Sequence, residues 1–302
     1  MRATAAAASA GTPIRSFLFV PGDSERKLGK VASSAADAVI LDLEDAVSAS
    51  RKPLARQMVS EFIVGELGDR DGPRLWVRIN PLDSGLALED LAAVVPAAPA
   101  GIMIPKIDGP DDVLRVGHYL EALETSHRLP AGAIKVLPVA TETARAPFRL
   151  GDFATAGIDR LYGLTWGAED LSAALGASTN VGPDGEWAMT YRLVRSLMLM
   201  GARAADVEAV ETLYVDIADD EGLAESSRRA RAEGFSGRIA IHPGQVDTIN
   251  AAFTPTAGEV EYAQRVIEAF SADVGTVALD GKMLDLPHLK QAQRVLALAG
   301  DH

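Results

Sequence analysis

Eight short apolar runs recur along this chain, and the segments between them have helical spacing. The runs are SFLFV at 16–20, AVILDL at 38–43, LWVRI at 75–79, GIMIPKI at 101–107, IKVLPVA at 134–140, RLYGLTW at 160–166, LYVDI at 213–217 and RIAIH at 238–242. They are continuous rather than alternating, which is the pattern of strands covered on both faces. Ser24 opens one intervening helix, with Lys27 and Leu28 following. Pro110-Asp111-Asp112 opens another and places acids in its first turn. Strand and helix alternating eight times predict an α/β fold of the (β/α)8 TIM-barrel type, and a chain of 302 residues suits a barrel of one domain. A doubly wound open sheet is the competitor, but it closes with fewer strands and starts with a Gly-rich turn that is absent here.

About sixty residues follow the eighth run. GEVEYAQRVIEAF at 258–270 has amphipathic helical spacing, VALDGKMLDLP at 277–287 is turn-rich, and a last helix is expected from 288 to about 299. The expected division is a flexible N-terminus over 1–14, a catalytic barrel over 15–257, and a C-terminal lid or oligomerisation extension over 258–302.

The chain has no cysteine, which excludes disulfides, thiolate zinc sites and cysteine nucleophiles. Its 42 acidic residues against 29 Lys and Arg give a net charge of −13. That charge repels phosphate backbones and anionic lipid, so neither nucleic acid nor a membrane is an expected partner. No apolar stretch approaches membrane-spanning length. The first thirteen residues lack the apolar run of a secretory signal, and a cytoplasmic location is expected.

Barrel enzymes project their reactive groups from the C-terminal ends of the strands. Those ends supply Asp23; Asp42, Glu44 and Asp45; Arg78 and Asn80; Lys106; Glu142; Glu169 and Asp170; Asp216; and His242. Any one of these is explained by a solvated loop. Their concentration at one end of a barrel is harder to explain that way. Glu142 and Asp170 follow neighbouring strands five and six, so their carboxylates can converge on a hard divalent cation, with waters and substrate oxygens completing its shell. The plainer reading makes Glu142 a helix-dipole residue and Asp170 a cap. Arg78 can grip a carboxylate with two parallel hydrogen bonds or be a structural partner of Asp42, Glu44 or Asp45. Arg26, Lys27 and Lys30 form a local basic cluster suited to phosphates, or else a solvated helix face. His242, in an HPG turn, reads as structural more readily than as a general base. No catalytic serine triad, Walker loop or dinucleotide fingerprint is present.

RSFLFVPGDSERKLGK, DAVILDLEDAV, LWVRINP, GIMIPKI, the TET of ATETA, GLTWGAEDL, GFSGRIAIHPGQVDTINAAFTPT and VALDGKMLDLPHLKQAQ occur in this order. Together they resemble the citrate lyase β-subunit-like family of the HpcH/HpaI aldolase superfamily, which includes malyl-CoA and citramalyl-CoA lyases. The resemblance covers almost the whole chain from about residue 15. It implies a (β/α)8 lyase, dependent on Mg²⁺ (with Mn²⁺ as a substitute), that cleaves or forms a carbon–carbon bond beside a CoA thioester. By the same resemblance Glu142 and Asp170 are metal ligands, and Arg78 holds the 2-oxoacid or hydroxyacid. Glu44 and Asp45 orient metal-bound waters, while Phe19, Arg26 and Lys30 contact CoA. The resemblance further implies that Asp285, with Asp280 as the nearby competitor, is the acid–base group that reaches a neighbouring subunit in a homotrimer or homohexamer. A CoA-independent 2-oxoacid aldolase, an associated acyl-CoA thioesterase and a non-catalytic barrel are the alternatives. Many relatives have a larger aliphatic residue where this chain reads ATET.

Overall fold

In the computed structural model, strands β1 (Ser16–Pro21), β2 (Ala38–Asp42), β3 (Arg74–Arg78), β4 (Gly101–Ile104), β5 (Lys135–Pro138), β6 (Gly163–Thr165), β7 (Glu208–Glu211) and β8 (Gly237–Ala240) are parallel and run in the order β5-β4-β3-β2-β1-β8-β7-β6. Bridges Val136–Leu161 and Val139–Thr165 join β5 to β6 and close the ring. The described residues are 13–66, 72–270 and 275–300. Most of the N-terminus expected to be loose, residues 1–12, lies outside them.

Both faces of each strand are covered, which is why the runs read as continuously apolar. Phe17, Ile40, Trp76, Met103, Leu137 and Ile239 fill the ring, and their neighbours Leu18, Val39, Val77, Ile102 and Val136 pack outward. Phe17, Trp76 and Tyr162 meet edge to face, with centroids 5.4 to 5.9 Å apart. The Tyr162 hydroxyl accepts the Ile14 N–H at 2.9 Å, so this cluster closes the N-terminal end of the barrel. The other end is left for polar chemistry.

The outer layer comprises the single turn α1 (Glu25–Leu28) and helices α2 (Lys52–Glu66), α3 (Ala87–Val94), α4 (Pro110–Ser126), α5 (Ala168–Leu175), α6 (Met189–Ala204), α7 (Asp220–Glu233) and α8 (Val246–Phe253). Between β5 and β6 the crossover is a 3₁₀ stretch, Ala146–Thr155. Beyond the barrel come α9 (Ala257–Ala269), the antiparallel hairpin β9 (Thr276–Leu279) and β10 (Lys282–Asp285), and α10 (Leu286–Ala299). These share a small core of Ala263, Val266, Phe270, Leu284 and Ala292. Arg294 of α10 reaches Glu208, the first residue of β7, at 3.0 Å, and so ties the extension to the closed end of the barrel. Among the described residues no helix is long and apolar enough to cross a membrane.

The seventh strand corrects the sequence expectation. It is EAVE, whereas LYVDI at 213–217 is loop and turn. Val215 and Ile217 are exposed, and Tyr214 donates its hydroxyl to Asp219 at 2.5 Å. LYVDI has the stronger β propensity, but Val215 and Ile217 find no apolar surface to cover, and only Leu213 and Tyr214 pack against the core. The acids bracketing Ala209–Val210 masked the real strand. Each is neutralised, Glu208 by Arg294 and Glu211 by Arg195. Asp216 therefore sits in an exposed turn, and Glu211 and Thr212 occupy the strand end instead.

Candidate active site

The loop after β2 is shaped by Asp42, whose two carboxylate oxygens accept the N–H groups of Glu44 (2.9 Å) and Ala46 (3.0 Å). Lys52 braces the same loop by donating to the carbonyls of Leu43 and Glu44 and to Asn80 Oδ1. Asn80 in turn donates to the fully buried Asp90. Arg78, ending β3, donates from Nε and Nη2 to Asp42, both at 2.7 Å, while its Nη1 lies 2.9 Å from Glu44. The guanidinium also stacks on Phe19, 4.5 Å from the ring centroid. Burial pulls the Arg78 pKa down, but the hydrogen bonds and charges of Asp42, Glu44 and Glu142 outweigh it, so Arg78 stays charged. With five N–H donors and two committed to Asp42, it keeps donors for Glu44 and for a ligand.

Glu142 and Asp170 arrive from β5 and the first turn of α5. Thr141 Oγ1 accepts the Gly167 N–H at 3.1 Å and joins the two segments. A Cβ at Gly167 would lie 2.9 Å from Glu142 Cγ and 3.0 Å from its Oε1, so a larger residue there would displace the Glu142 side chain. Both acids line one cleft of about 530 Å³, together with Arg78, Phe19, Trp166, Trp187 and Leu213. Glu142 accepts the Lys106 backbone N–H at 2.7 Å. Burial, and then the charge of Asp170, push the Glu142 pKa up to about 8. Burial also raises Glu44, against the pull of Arg78 and Lys106.

Glu169 also lines the cleft but accepts from Asn180 Nδ2 at 2.8 Å, and the two remaining carboxylates, Glu142 and Asp170, repel each other and fit a hard divalent cation. Among the described residues no third His, Cys, Asp or Glu converges with them, so water and ligand oxygens would complete its shell. The sign of the pH dependence follows. A carboxyl whose folded pKa is raised contributes stability that is lost as pH climbs from its ordinary value toward the raised one. The cation-free protein is therefore expected to lose thermal stability between pH 4.5 and about 8. Saturating divalent cation should flatten that slope. Calorimetry with chelator and with Mg²⁺ checks both arms.

The remaining sequence candidates divide. Glu44 is buried in the cluster, whereas Asp45 is 61% exposed and pairs with Lys106 at 3.1 Å. Phe19, Arg26, Lys27, Lys30 and His242 line a second, open groove of about 1790 Å³ that shares Phe19, Arg78 and Leu213 with the cleft. His242 Nδ1 accepts the Gly244 N–H and caps a short helical turn, so its structural reading holds. Asp23 pairs with Arg51, and Asp280 with Arg265. Asp285 lines neither cavity. It caps α10 and lies 2.5 Å from His288 Nδ1. Sequence reasoning gave no role to Lys106, Trp166 or Trp187. The two tryptophans meet edge-on at 5.3 Å and wall the cleft.

Residues 15–243 match the HpcH/HpaI aldolase/citrate lyase family, and residues 196–301 match a family of carbon–carbon bond lyases of the TIM-barrel fold. The citrate lyase subunit beta-like protein of Mycobacterium tuberculosis (strain ATCC 25618 / H37Rv) is 34% identical over 285 residues, covering 94% of this chain and 95% of the relative. The mitochondrial citramalyl-CoA lyase of Rattus norvegicus is 32% identical over 307 residues, covering 95% and 86%. A crystal structure of CitE from Mycobacterium tuberculosis, in complex with magnesium, acetoacetate and coenzyme A, superposes with a TM-score of 0.75 at 35% identity, covering 97% of this chain and 99% of that one. With its acids and Arg78 gathered at the open end of a closed eight-stranded ring, the chain belongs to the HpcH/HpaI aldolase/citrate lyase family of TIM-barrel lyases.

Proposed function

We infer that the protein is a Mg²⁺-dependent carbon–carbon lyase acting on a 3-hydroxyacyl-CoA thioester of the malyl-CoA or citramalyl-CoA type. It yields or consumes an acyl-CoA and glyoxylate or pyruvate. The observation that carries this reading is the pairing of Glu142 and Asp170 in a cleft that Arg78 shares with a basic groove. The magnesium, acetoacetate and coenzyme A held by the similar CitE support it.

Cleavage breaks the bond between the carbinol carbon and the thioester α-carbon. The hydroxyl passes its proton to the water beside Glu44 and Asp45, the carbinol carbon becomes the carbonyl carbon of the 2-oxoacid, and the electron pair of the broken bond moves to the α-carbon as a thioester enolate. Mg²⁺, when bound by Glu142 and Asp170, supplies Lewis-acid polarisation of the oxygen at the breaking bond. Arg78 holds the carboxylate of the acid with its remaining donors and stabilises developing negative charge. Glu44 and Asp45 orient water beside the pair. Arg26 and Lys30 meet the CoA phosphates, with Phe19 beneath the chain that joins groove to cleft.

Asp285 protonates the enolate, or abstracts that proton in the synthetic direction. Its own extension is tied to the closed end of the barrel through Arg294 and Glu208. It therefore acts in the mouth of a second copy, with 258–302 serving as lid and assembly arm of a homotrimer or homohexamer in the cytoplasm.

The test is release of 2-oxoacid from malyl-CoA and from citramalyl-CoA, with and without Mg²⁺. Metal-dependent release from one of them is expected. Cleavage of the free hydroxyacid alone, or liberation of CoA thiol without 2-oxoacid, overturns the reading in favour of a CoA-independent aldolase or a thioesterase. Asp285→Asn should lose about 10²-fold or more in turnover while divalent-cation binding is unchanged.

A further inference from the structure

Lys106 follows β4 with a left-handed backbone, φ 51°, which is rare outside glycine. That conformation turns two of its groups toward the mouth. Its N–H donates to Glu142 Oε2 at 2.7 Å. Its ammonium lies against Glu44, 3.1 Å from Asp45 and 3.5 Å from Asp170. One residue thus touches both members of the carboxylate pair, yet it lines neither cavity. Strain of this kind persists only where surrounding contacts impose it, and it concentrates at functional sites.

The charge balance shows what the ammonium does there. Among the described residues, the side chains of Asp42, Glu44, Asp45, Glu142 and Asp170 are in contact with two cations, Arg78 and Lys106, an excess of three negative charges when all are ionised. Arg78 is committed to Asp42 and Glu44, on the β2 side of the mouth. Among the described residues Lys106 is therefore the cation of this cluster that reaches Asp170. Its two shorter contacts, to Glu44 and Asp45, tether it so that it neither leaves nor collapses onto Asp170.

We propose that Lys106 is a positioning residue that lowers the divalent-cation affinity of the Glu142–Asp170 pair, so that the ion is held firmly only when a substrate carboxylate completes its shell. This rests on the metal-dependent lyase reading above. A fixed positive charge a few ångströms from the ion repels it while keeping Asp170 aimed at the cleft.

The probe is Mn²⁺ alone, with no substrate, titrated into the full-length protein by electron paramagnetic resonance. Each titration is followed up the pH scale until the affinity stops changing. Lys106→Met should bind Mn²⁺ about tenfold more tightly than wild type. Asp45→Asn, which frees the ammonium toward Asp170, should bind it severalfold more weakly. Lys106→Arg should stay within about threefold of wild type. Structural damage would weaken binding in every variant, so opposite shifts on removing opposite charges identify the charge effect. Unchanged or weaker binding by Lys106→Met overturns the inference and leaves the lyase reading standing. Absence of Mn²⁺ binding by both the wild type and Lys106→Met, with glyoxylate or pyruvate present as well as without, overturns both. If Lys106→Met does not fold, as judged by circular dichroism, Lys106→Gln takes its place, and tighter binding supports the inference whereas unchanged or weaker binding overturns it.

Discussion

Asp170→Ala is expected to lose about 10³-fold or more of its divalent-cation-dependent turnover and its binding of Mn²⁺, because one of the two carboxylates that could hold the ion is gone. Glu142→Gln should do the same without changing shape. The two variants are expected to be no less stable than wild type in the absence of cation. Glu142 is 7% exposed and repelled by Asp170, so at pH above about 8 the folded chain carries a buried charge with little compensation. Converting it to an amide removes that cost, and Asp170→Ala relieves the same repulsion from the other side. The expected signature is thus a thermal midpoint that rises at alkaline pH while activity vanishes. A structural carboxylate would show both falling together. Wild-type turnover by the Asp170→Ala protein would remove the metal assignment.

The opposition of stability and activity explains which parts of this molecule can be read from its sequence. Strands buried on both faces leave a strong record, since a barrel must cover both the inside and the outside of each one. Phe17 and Leu18 are both apolar because one fills the ring and the other meets the helices. The acids at the ends of β2, β5 and β6 were legible for the converse reason, as charges placed directly after apolar runs. β7 was not legible. Its two glutamates are paid for by arginines from α6 and α10, partners brought in by tertiary packing. The role of Lys106 was hidden too, because a positive φ at a lysine has no signature in composition or spacing. Trp187 reaches the cleft from a long loop between α5 and α6, where no periodicity announces direction.

Arg78 carries the second large effect, and there stability and activity should fall together. Asp42 is 1% exposed and Glu44 3%, and Arg78 touches both. Arg78→Met leaves Asp42 buried without its cation, while Glu44 keeps Lys106. Removing one partner of a buried pair costs about 3–5 kcal/mol, so a large drop in the urea midpoint is expected, alongside loss of 2-oxoacid turnover. The loss of activity alone would then be ambiguous, since an unfolded protein is also inactive. The double variant Arg78→Met/Asp42→Asn separates the two effects. The neutral amide removes the orphaned charge and keeps acceptor capacity for one of the N–H groups that Asp42 now holds, so much of the stability should return. Turnover should not return, because no donor remains to grip the carboxylate of the acid. Arg78→Lys should fall between them, keeping charge for Asp42 but losing the fork that spans Asp42, Glu44 and a ligand at once. Its expected mark is a raised KM for the 2-oxoacid in the synthetic direction, with most of the stability retained. Recovery of turnover by the double variant would show that Arg78 serves the fold alone.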